Sequence, residues 1–190
     1  MVDVSHLNDK SFYDVADFST RPIIATHSNS RTICKHRRNL TDDMIRKIAA
    51  GGGVVQVNFY PVFIDDRFQH ILNDSGIMER GEMIESEFIA DPANPLKRSA
   101  WNAVQDELNA LERPSFRRIV DHIDHIVGLV GIDHVGLGSD FDGIEVTPEG
   151  MEDISKFSLV FDEMRRRGYT ESDIEKVASG NFFRVMQACQ

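Results

Sequence analysis

The sequence predicts an α/β fold built on a parallel sheet, and three observations support this prediction. Four short segments rich in Val and Ile alternate along the chain with segments of helical periodicity. These four segments are almost continuously apolar, as expected of strands that are covered on both faces. The length of 190 residues suits a single core of ordinary size. We therefore expect one domain over residues 1–190, with right-handed crossovers between the strands.

Each predicted strand ends in a polar or reactive side chain. The strands are the segments Val2–His6, Pro22–His27, Val54–Tyr60 and His134–Asp140. Because the carboxyl ends of parallel strands lie at one edge of a sheet, we expect their last residues to surround a common centre. Such a centre is typical of an active site.

Two helices and an insertion are predicted between the first and last strands. One helix covers Asn8–Phe18, and the next begins after Thr41 and stops at Gly51–Gly53. The connection after the third strand is far longer than a crossover requires. We expect an insertion there at about residues 65–113, with a partly helical stretch followed by a helix over Lys97–Leu111.

Three more helices are predicted in the last part of the chain. The most regular apolar spacing follows Ser115 and predicts a helix that covers the sheet, with His122 and His125 on its solvent-exposed face. After the fourth strand, the segments Ser155–Arg167 and Glu171–Ala188 are predicted to be helices on either side of Gly168.

The composition excludes several classes of protein. The net charge of −10 at pH 7 lacks the positive field that attracts nucleic acids. No apolar run approaches the roughly 20 residues of a membrane span. Cys34 and Cys189 are too few for a disulfide scaffold. We expect no nucleic-acid partner, no membrane span in this chain, and a reducing, cytoplasmic location.

The pattern of apolar segments leaves open whether the sheet is doubly wound or part of a barrel. A doubly wound nucleotide-binding fold should carry a glycine-rich turn after its first strand, but Ser5–Asn8 stands there. Gly136 and Gly138 lie inside the last strand and are followed by Phe141 where a third glycine is needed. Nucleotide binding is therefore disfavoured.

His6 and His27 end consecutive strands, and their imidazoles can converge on one zinc ion because neighbouring strands lie about 4.8 Å apart. From spacing alone, a metal site and a pair of ordinary hydrogen-bonded histidines are equally acceptable. Asp140 and Asp142 form either a tuned carboxylate pair or an ordinary turn closed by Gly143, and the turn is favoured.

The segment Cys34–Asn39 follows the second strand and is rich in cationic side chains. A guanidinium in this segment can hold a substrate carboxylate through two parallel hydrogen bonds, and a solvated basic turn is the alternative. Cys34 is interpreted as a small buried thiol rather than a nucleophile or metal ligand.

Six segments spread over nearly all of the chain occur together in one family. They are Val2–His6, Pro22–Asn29, Arg37–Asp43, Val57–Tyr60, Gly136–Gly143 and Gly180–Val185. Their order and gaps are similar to those of the membrane (renal-type) dipeptidases. The resemblance implies a (β/α)₈ barrel of the TIM type with two zinc ions, which cleaves dipeptides, including those whose second residue has D configuration.

The resemblance also implies roles for individual residues. His6 and His27 match the histidines that bind the second zinc, and Arg38 matches the arginine that binds the substrate carboxylate. Asp140 matches the acidic residue that handles the proton at the tetrahedral intermediate. Tyr60, at the end of its motif, is assigned to substrate binding.

Other motifs of the family have no counterpart in this sequence. The His-x-Asp of the first strand, the glutamate that bridges the two zinc ions and a substrate-binding histidine cannot be placed. The resemblance therefore implies four strands with covering helices that form the C-terminal half of the barrel, as a truncated gene, a fragment or one part of a split protein.

Three hypotheses follow. The chain is a zinc dipeptidase that acts together with its N-terminal half, a non-catalytic half-barrel that forms a homodimer, or a different metal-dependent hydrolase of the barrel class. In the half-barrel, an inner layer of Val and Ile without an opposite wall is expected to favour association.

Overall fold

The fold is built on a single four-stranded sheet. The structure is a computed structural model that describes residues 1–190. The strands are β1 (Val2–Asp3), β2 (Ile23–Ala25), β3 (Val54–Asn58) and β4 (Val135–Ser139). Every neighbouring pair is parallel, and the order across the sheet is β1-β2-β3-β4. The predicted α/β fold with a parallel sheet is thus confirmed. The strands are shorter than predicted because their last residues turn away from the regular ladder into loops.

The helices follow the predicted order. They are α1 (Asp9–Phe18), α2 (Asp42–Ala50), α3 (Pro61–Ile64), α4 (Asp66–Ser75), α5 (Ile77–Ala90), α6 (Pro95–Ala110), α7 (Arg117–Val130), α8 (Phe157–Arg166), α9 (Glu171–Glu175) and α10 (Asn181–Ala188). The side chains of Asn8 and Thr41 cap α1 and α2 by accepting hydrogen bonds from backbone N–H groups of the first turn. No helix has the combination of length and apolar character that crossing a membrane requires.

The main hydrophobic core lies between the sheet and the helices α1, α2, α7 and α8. It is a cluster of 22 buried residues that includes Ala25, Val55 and Val57 from the strands and Ile45 and Ile123 from the helices. Side chains alternate between the two faces of a strand, so these strand residues share one face. That face is the one the helices cover.

The opposite face of the sheet is apolar only at one end, where Ile24 and Val54 pack against Val185 of α10. Alternation along the strands places on the rest of this face the residues Asp3, Thr26, Gln56, Gly136 and Gly138. The prediction of an inner layer of Val and Ile on this face is therefore wrong. Most of the Val and Ile side chains in the strands face the helices, and the second face becomes polar toward the strand ends.

The predicted insertion contains α4, α5 and α6, which surround a smaller core of their own. Phe68, Ile77, Val104 and Leu108 belong to this cluster, together with Val62 of α3. The helix predicted over Lys97–Leu111 begins slightly earlier, at Pro95, because Asn94 caps it. The preceding stretch is almost wholly helical rather than partly so.

The C-terminal segment differs from the predicted continuous helix over Glu171–Ala188. A π-helical turn at Lys176–Gly180 separates α9 from α10. Such a turn widens the helix and rotates the residues that follow it. Here it precedes the buried Asn181, whose amide donates hydrogen bonds to the carbonyls of Ile132 at 2.7 Å and Val135 at 2.8 Å. The π turn thus accompanies the docking of α10 on the start of β4.

His122 and His125 do not lie on a solvent-exposed face, so that prediction is wrong. His122 is fully buried, and its Nδ1 accepts a hydrogen bond of 3.1 Å from the Ser30 backbone while its Nε2 faces the Ile64 carbonyl at 3.2 Å. His125 Nε2 lies 2.8 Å from Asp42. The reason is that α7 also packs against α2 and α3, so the buried arc of the helix is wider than its apolar stripe.

Burial lowers the pKa of His122 to about 4, so this imidazole is neutral in the native state at pH 7. The unfolded chain has an ordinary histidine pKa and binds a proton between about pH 6.5 and 4 that the native state does not bind. We expect the free energy of unfolding to fall by about 3 kcal/mol from this group as the pH falls through that window.

In His122→Asn this part of the pH dependence should disappear, although the variant is less stable at pH 7 because Ile64 loses its donor. Chemical denaturation at several pH values measures it. His70→Asn is the matched control, since His70 is exposed. A His122→Asn variant with the wild-type slope would contradict the assignment.

Candidate active site

The four predicted strand-end residues lie at the carboxyl edge of the sheet, but they differ in their contacts. They are His6, His27, Tyr60 and Asp140. His6 and His27 contact each other directly, and Arg38 reaches the same pair. Asp140 ends β4 and is connected to β3 through Asn58. Tyr60 lies further toward the insertion. The centre is therefore made by the two histidines, with the other three groups around it.

The imidazoles of His6 and His27 face each other through their Nε2 atoms, which are 2.8 Å apart. The ring centroids are separated by 4.8 Å and the planes are inclined at 60°. The predicted convergence of the two side chains is thus observed. Burial lowers the pKa of His27 below its ordinary value, although the charges of Asp140 and Asp3 act in the opposite direction. Its neutral form, the one that can bind a metal, is favoured.

Asp3 joins the ends of β1 and β2, which carry the two histidines. Its Oδ1 accepts hydrogen bonds of 3.0 Å from the backbone N–H groups of Ser5 and Thr26, and its Oδ2 accepts one of 2.6 Å from the Thr26 hydroxyl. The Ser5 hydroxyl accepts a bond of 3.0 Å from the backbone of His27. Partial burial opposes ionisation, but hydrogen bonds from Thr26 and Ser5 hold the pKa of Asp3 below its usual value.

Arg38 approaches this pair from the loop that follows β2. Its Nη1 donates to the carbonyl of Ser5, and its Nη2 lies 3.2 Å from Nε2 of His6. The guanidinium carbon stands 5.6 Å from the ring centroid of Phe63, within the range of a cation–π contact. The planar cation is therefore held beside the histidines.

Asp140 adopts a left-handed backbone conformation, with φ of 76° and ψ of 29°, immediately after β4. Non-glycine residues rarely adopt this conformation, and they are enriched at functional sites. The fully buried Asn58 fixes the carboxylate by donating a hydrogen bond of 2.9 Å from Nδ2 to Asp140 Oδ2. The amide is oriented because its Oδ1 accepts from the backbone of Tyr60 at 2.6 Å.

Two further buried asparagines support the surroundings of Arg38 and Asp140. Asn29 pairs with the backbone of Asn58 through bonds of 2.9 Å and 3.0 Å. Asn29 and Asn39 both donate to the carbonyl of Phe63, at 3.2 Å and 2.8 Å. The Phe63 ring, which lies under Arg38, also packs on His36 at a centroid distance of 4.5 Å.

Tyr60 packs toward the insertion and makes no hydrogen bond or ring contact with the histidines. Its ring meets Phe63 edge-on at a centroid distance of 5.0 Å and packs against the core of the insertion. Burial and the neighbouring Glu145 carboxylate raise the pKa of Tyr60. The phenol therefore stays protonated and can act as a hydrogen-bond donor.

The donor set suits part of a metal site. The chain has no cluster of three or more His, Cys, Asp or Glu side chains placed to hold a metal ion. Two converging imidazole nitrogens nevertheless supply two of the four ligands typical of zinc. A tetrahedral ion with Zn–N bonds of about 2.0–2.1 Å requires its nitrogens about 3.3 Å apart. Small side-chain rotations that widen the 2.8 Å contact satisfy this.

Cys34 is buried, as predicted, and takes no part in this centre. Its thiol donates to the carbonyl of Val62 at 3.3 Å, and burial raises the pKa of Cys34 to about 12. A buried, protonated thiol is a poor nucleophile, which agrees with the interpretation of Cys34 as a small buried side chain.

A parallel α/β sheet with two facing histidines, an arginine and a carboxylate at its strand ends is typical of metal-dependent enzymes. The model of the family described as membrane dipeptidase (peptidase family M19) matches residues 1–190. The chain belongs to the membrane dipeptidase family.

Individual relatives agree with this assignment. A protein encoded in the pqqA 5′ region of Klebsiella pneumoniae is 33% identical over 98% of this chain and 54% of its own length. An uncharacterized dipeptidase of Schizosaccharomyces pombe is 33% identical over 97% of this chain and 35% of its own length. The chain therefore spans about half, or less, of the relatives it matches.

A solved structure of similar fold is the metallo peptidase of Rhodobacter sphaeroides, liganded with a phosphinate mimic of the dipeptide L-Ala-D-Ala. It is 28% identical over all of this chain and 42% of its own, with a TM-score of 0.72. The predicted fold class, four parallel strands with covering helices as half of a TIM-type barrel, is confirmed by the sheet and by these neighbours.

The sequence interpretation missed the residues that hold the site together. The sequence motifs contain Asp3 and Thr26 only as neighbours of the histidines, and they assign no role to Asn58 or Phe63. A signal existed for Asp3 and Thr26, since both are polar residues in otherwise apolar strand segments, and the pairing of the strands places them on one face. No local pattern indicates that Phe63 lies under Arg38.

Gly138 of β4 is the glycine that lets the backbone of Thr26 and His27 lie close to β4. A Cβ atom there would overlap the carbonyl oxygen of Thr26 and lie 3.1 Å from the Cα of His27. We expect Gly138→Ala to lower the free energy of unfolding by about 1–3 kcal/mol, because backbone atoms would have to move.

Gly128→Ala is the matched control, since Gly128 lies in α7 with no atom within 4 Å of its added Cβ. This variant should gain about 0.5–1 kcal/mol from helix propensity. Urea denaturation of the two variants measures both effects. Equal stability of the two variants would show that the chain after β2 does not need this glycine.

Proposed function

We propose that this chain supplies part of the active site of a zinc-dependent dipeptidase, in which His6 and His27 bind one zinc ion. The observation that carries the proposal is the facing pair of Nε2 atoms, 2.8 Å apart, beside the guanidinium of Arg38. Family membership and the dipeptide mimic bound to the Rhodobacter sphaeroides relative support it. Zinc, when bound, polarises the scissile carbonyl and lowers the pKa of a nearby water.

Arg38 binds the carboxylate of the dipeptide in this proposal. Its planar fork suits two parallel hydrogen bonds to a carboxylate. The Phe63 ring and the Ser5 carbonyl hold the guanidinium in place before substrate arrives. The positive charge therefore fixes the C-terminal end of the substrate near the histidines without a large loss of side-chain entropy.

Asp140 transfers the proton to the leaving amine. Asn58 holds Oδ2 of this carboxylate, which leaves Oδ1 to accept a proton and pass it on. Tyr60, kept protonated by burial and by Glu145, contacts the substrate from the side of the insertion. The insertion itself, at about residues 65–113, thereby forms one wall of the substrate site.

A partner is needed to complete the site, because this chain offers two zinc ligands and no further cluster. We propose that this partner covers the β1 edge of the chain, where Val2 is 46% and Phe18 is 90% exposed. The relatives are longer than this chain, one of them about twice its length, and an N-terminal half is the occupant we favour. A homodimer of a non-catalytic half-barrel is the alternative. The cytoplasmic location stays a prediction, in keeping with two free cysteines.

The activity of the chain tests both alternatives. We expect the purified chain with Zn²⁺ to hydrolyse dipeptides at background rate, because two imidazoles alone leave the zinc site incomplete. Activity should appear when the N-terminal part of a relative is added in cis or in trans, and His27→Ala should abolish it while His70→Ala does not.

Sedimentation of the chain alone detects a homodimer. Robust turnover by the monomer, lost in His27→Ala, would contradict the proposal of an incomplete site.

The role of Arg38 can be tested in the reconstituted enzyme. Arg38→Lys should chiefly raise KM, by about 10- to 100-fold, since a lysine cannot reproduce two parallel hydrogen bonds. Arg37→Lys is the control because Arg37 is exposed and its side chain makes no hydrogen bond within the chain. The loss should nearly vanish for dipeptide amides. An equal loss for amides and free acids would show that Arg38 does not bind the carboxylate.

A further inference from the structure

The Thr26 hydroxyl has one proton and two close polar partners. Its Oγ1 lies 2.6 Å from Oδ2 of Asp3 and 2.8 Å from Nδ1 of His27. A carboxylate can only accept a hydrogen bond, whereas a neutral imidazole nitrogen either donates or accepts. The arrangement therefore has one consistent distribution of protons.

In that distribution the hydroxyl proton points to Asp3, and the hydroxyl oxygen accepts a bond from Nδ1–H of His27. The reverse would place oxygen lone pairs of Thr26 and Asp3 against each other at 2.6 Å. Asp3 also accepts from the backbone N–H groups of Ser5 and Thr26, which favour its ionised form. The proton on His27 is consequently held at Nδ1.

We propose that Asp3 and Thr26 are positioning residues that hold neutral His27 in the Nδ1–H tautomer and so direct the lone pair of its Nε2 at the cation position shared with His6. The inference rests on the proposed metal-binding role of the two histidines. The hydrogen bond made by one ring nitrogen sets which nitrogen carries the proton, and outer partners of this kind orient metal-binding histidines. Here a hydroxyl is interposed between the carboxylate and the ring.

We call the hydrogen-bonded chain from His27 through Thr26 to Asp3 the relay. It matters because the proton of neutral His27 could otherwise sit on Nε2 instead of Nδ1. Nε2 of His27 lies 2.8 Å from Nε2 of His6, so a proton on it would occupy the point where the two nitrogens meet. Without the Thr26 hydroxyl nothing holds the proton on Nδ1. The tautomer with Nε2–H, which cannot bind a cation there, then becomes populated.

The first test reads the tautomer without any metal. Long-range ¹H–¹⁵N spectra of the metal-free chain, at a pH where His27 is neutral, should show Nδ1 protonated and Nε2 bare. In Thr26→Val the Nε2–H form should appear, and Thr26→Ser should restore the wild-type pattern. Thr20→Val is the control, since Thr20 is exposed and its hydroxyl has no partner within the chain.

A wild-type spectrum with the proton on Nε2 would overturn the relay, and so would an unchanged tautomer in Thr26→Val. Circular dichroism verifies that the variants fold. If Thr26→Val does not fold, the wild-type spectrum and the Thr26→Ser variant decide the question.

The second test measures Zn²⁺ affinity by calorimetry. Thr26→Val should bind zinc about 10- to 100-fold more weakly than the wild-type chain, and Thr26→Ser should recover most of the loss. Zinc binding that is the same in wild type and His27→Ala would overturn the proposed function but not the tautomer assignment. A normal affinity in Thr26→Val, together with a changed tautomer, would show that the relay does not serve metal binding.

Discussion

The register between β1 and β2 is the constraint on which the rest of the site depends. Asp3 pairs with Ile24, so Thr26 follows on the same face of the neighbouring strand. The Asp3 carboxylate can therefore reach both the backbone N–H and the hydroxyl of Thr26. A slip of one residue would move the side chains of one strand to the other face, against the helices. The histidines would then lose both their common position and the groups that orient them.

Neutral amides, rather than further charges, surround the reactive groups. Asn29, Asn39 and Asn58 are each almost completely buried, and their amide hydrogens satisfy backbone carbonyls or the Asp140 carboxylate. Burying an amide costs several kcal/mol unless it is hydrogen-bonded, so these bonds are necessary for stability as well as for orientation. Because the amides carry no charge, they add nothing to the charges of Asp3, Arg38 and Asp140 around the histidines. The ion pairs of Glu163 with Arg166 and Arg167, in contrast, hold the end of α8, and Arg167 also donates a hydrogen bond to Asp121 of α7.

The sequence was sufficient to predict the sheet, its parallel order and the convergence of His6 with His27, because these follow from apolar runs and from the common edge of parallel strand ends. Three features were out of reach. Periodicity predicts His122 on a solvent-exposed face, because it identifies the side of α7 that packs on the sheet but not the second side covered by α2 and α3. The π turn before α10 has no marker in the sequence, and it accompanies the docking of Asn181 on β4. The support of Arg38 by Phe63 joins segments 25 residues apart through loop geometry, which neither composition nor spacing contains.

The polar face of the sheet explains how, under the proposed function, the two histidines can be positioned by this chain alone. A chain that needed its partner to bring His6 and His27 together would have to order both side chains at the moment of assembly, at a cost in conformational entropy. Here the hydrogen bonds of Asp3, Ser5 and Thr26 already order the two strand ends within one chain. Gly138 leaves this face open where the backbone of Thr26 and His27 approaches β4. In the proposed zinc dipeptidase, a complementary half would contribute ligands and a covering wall, but it would not have to organise the histidines.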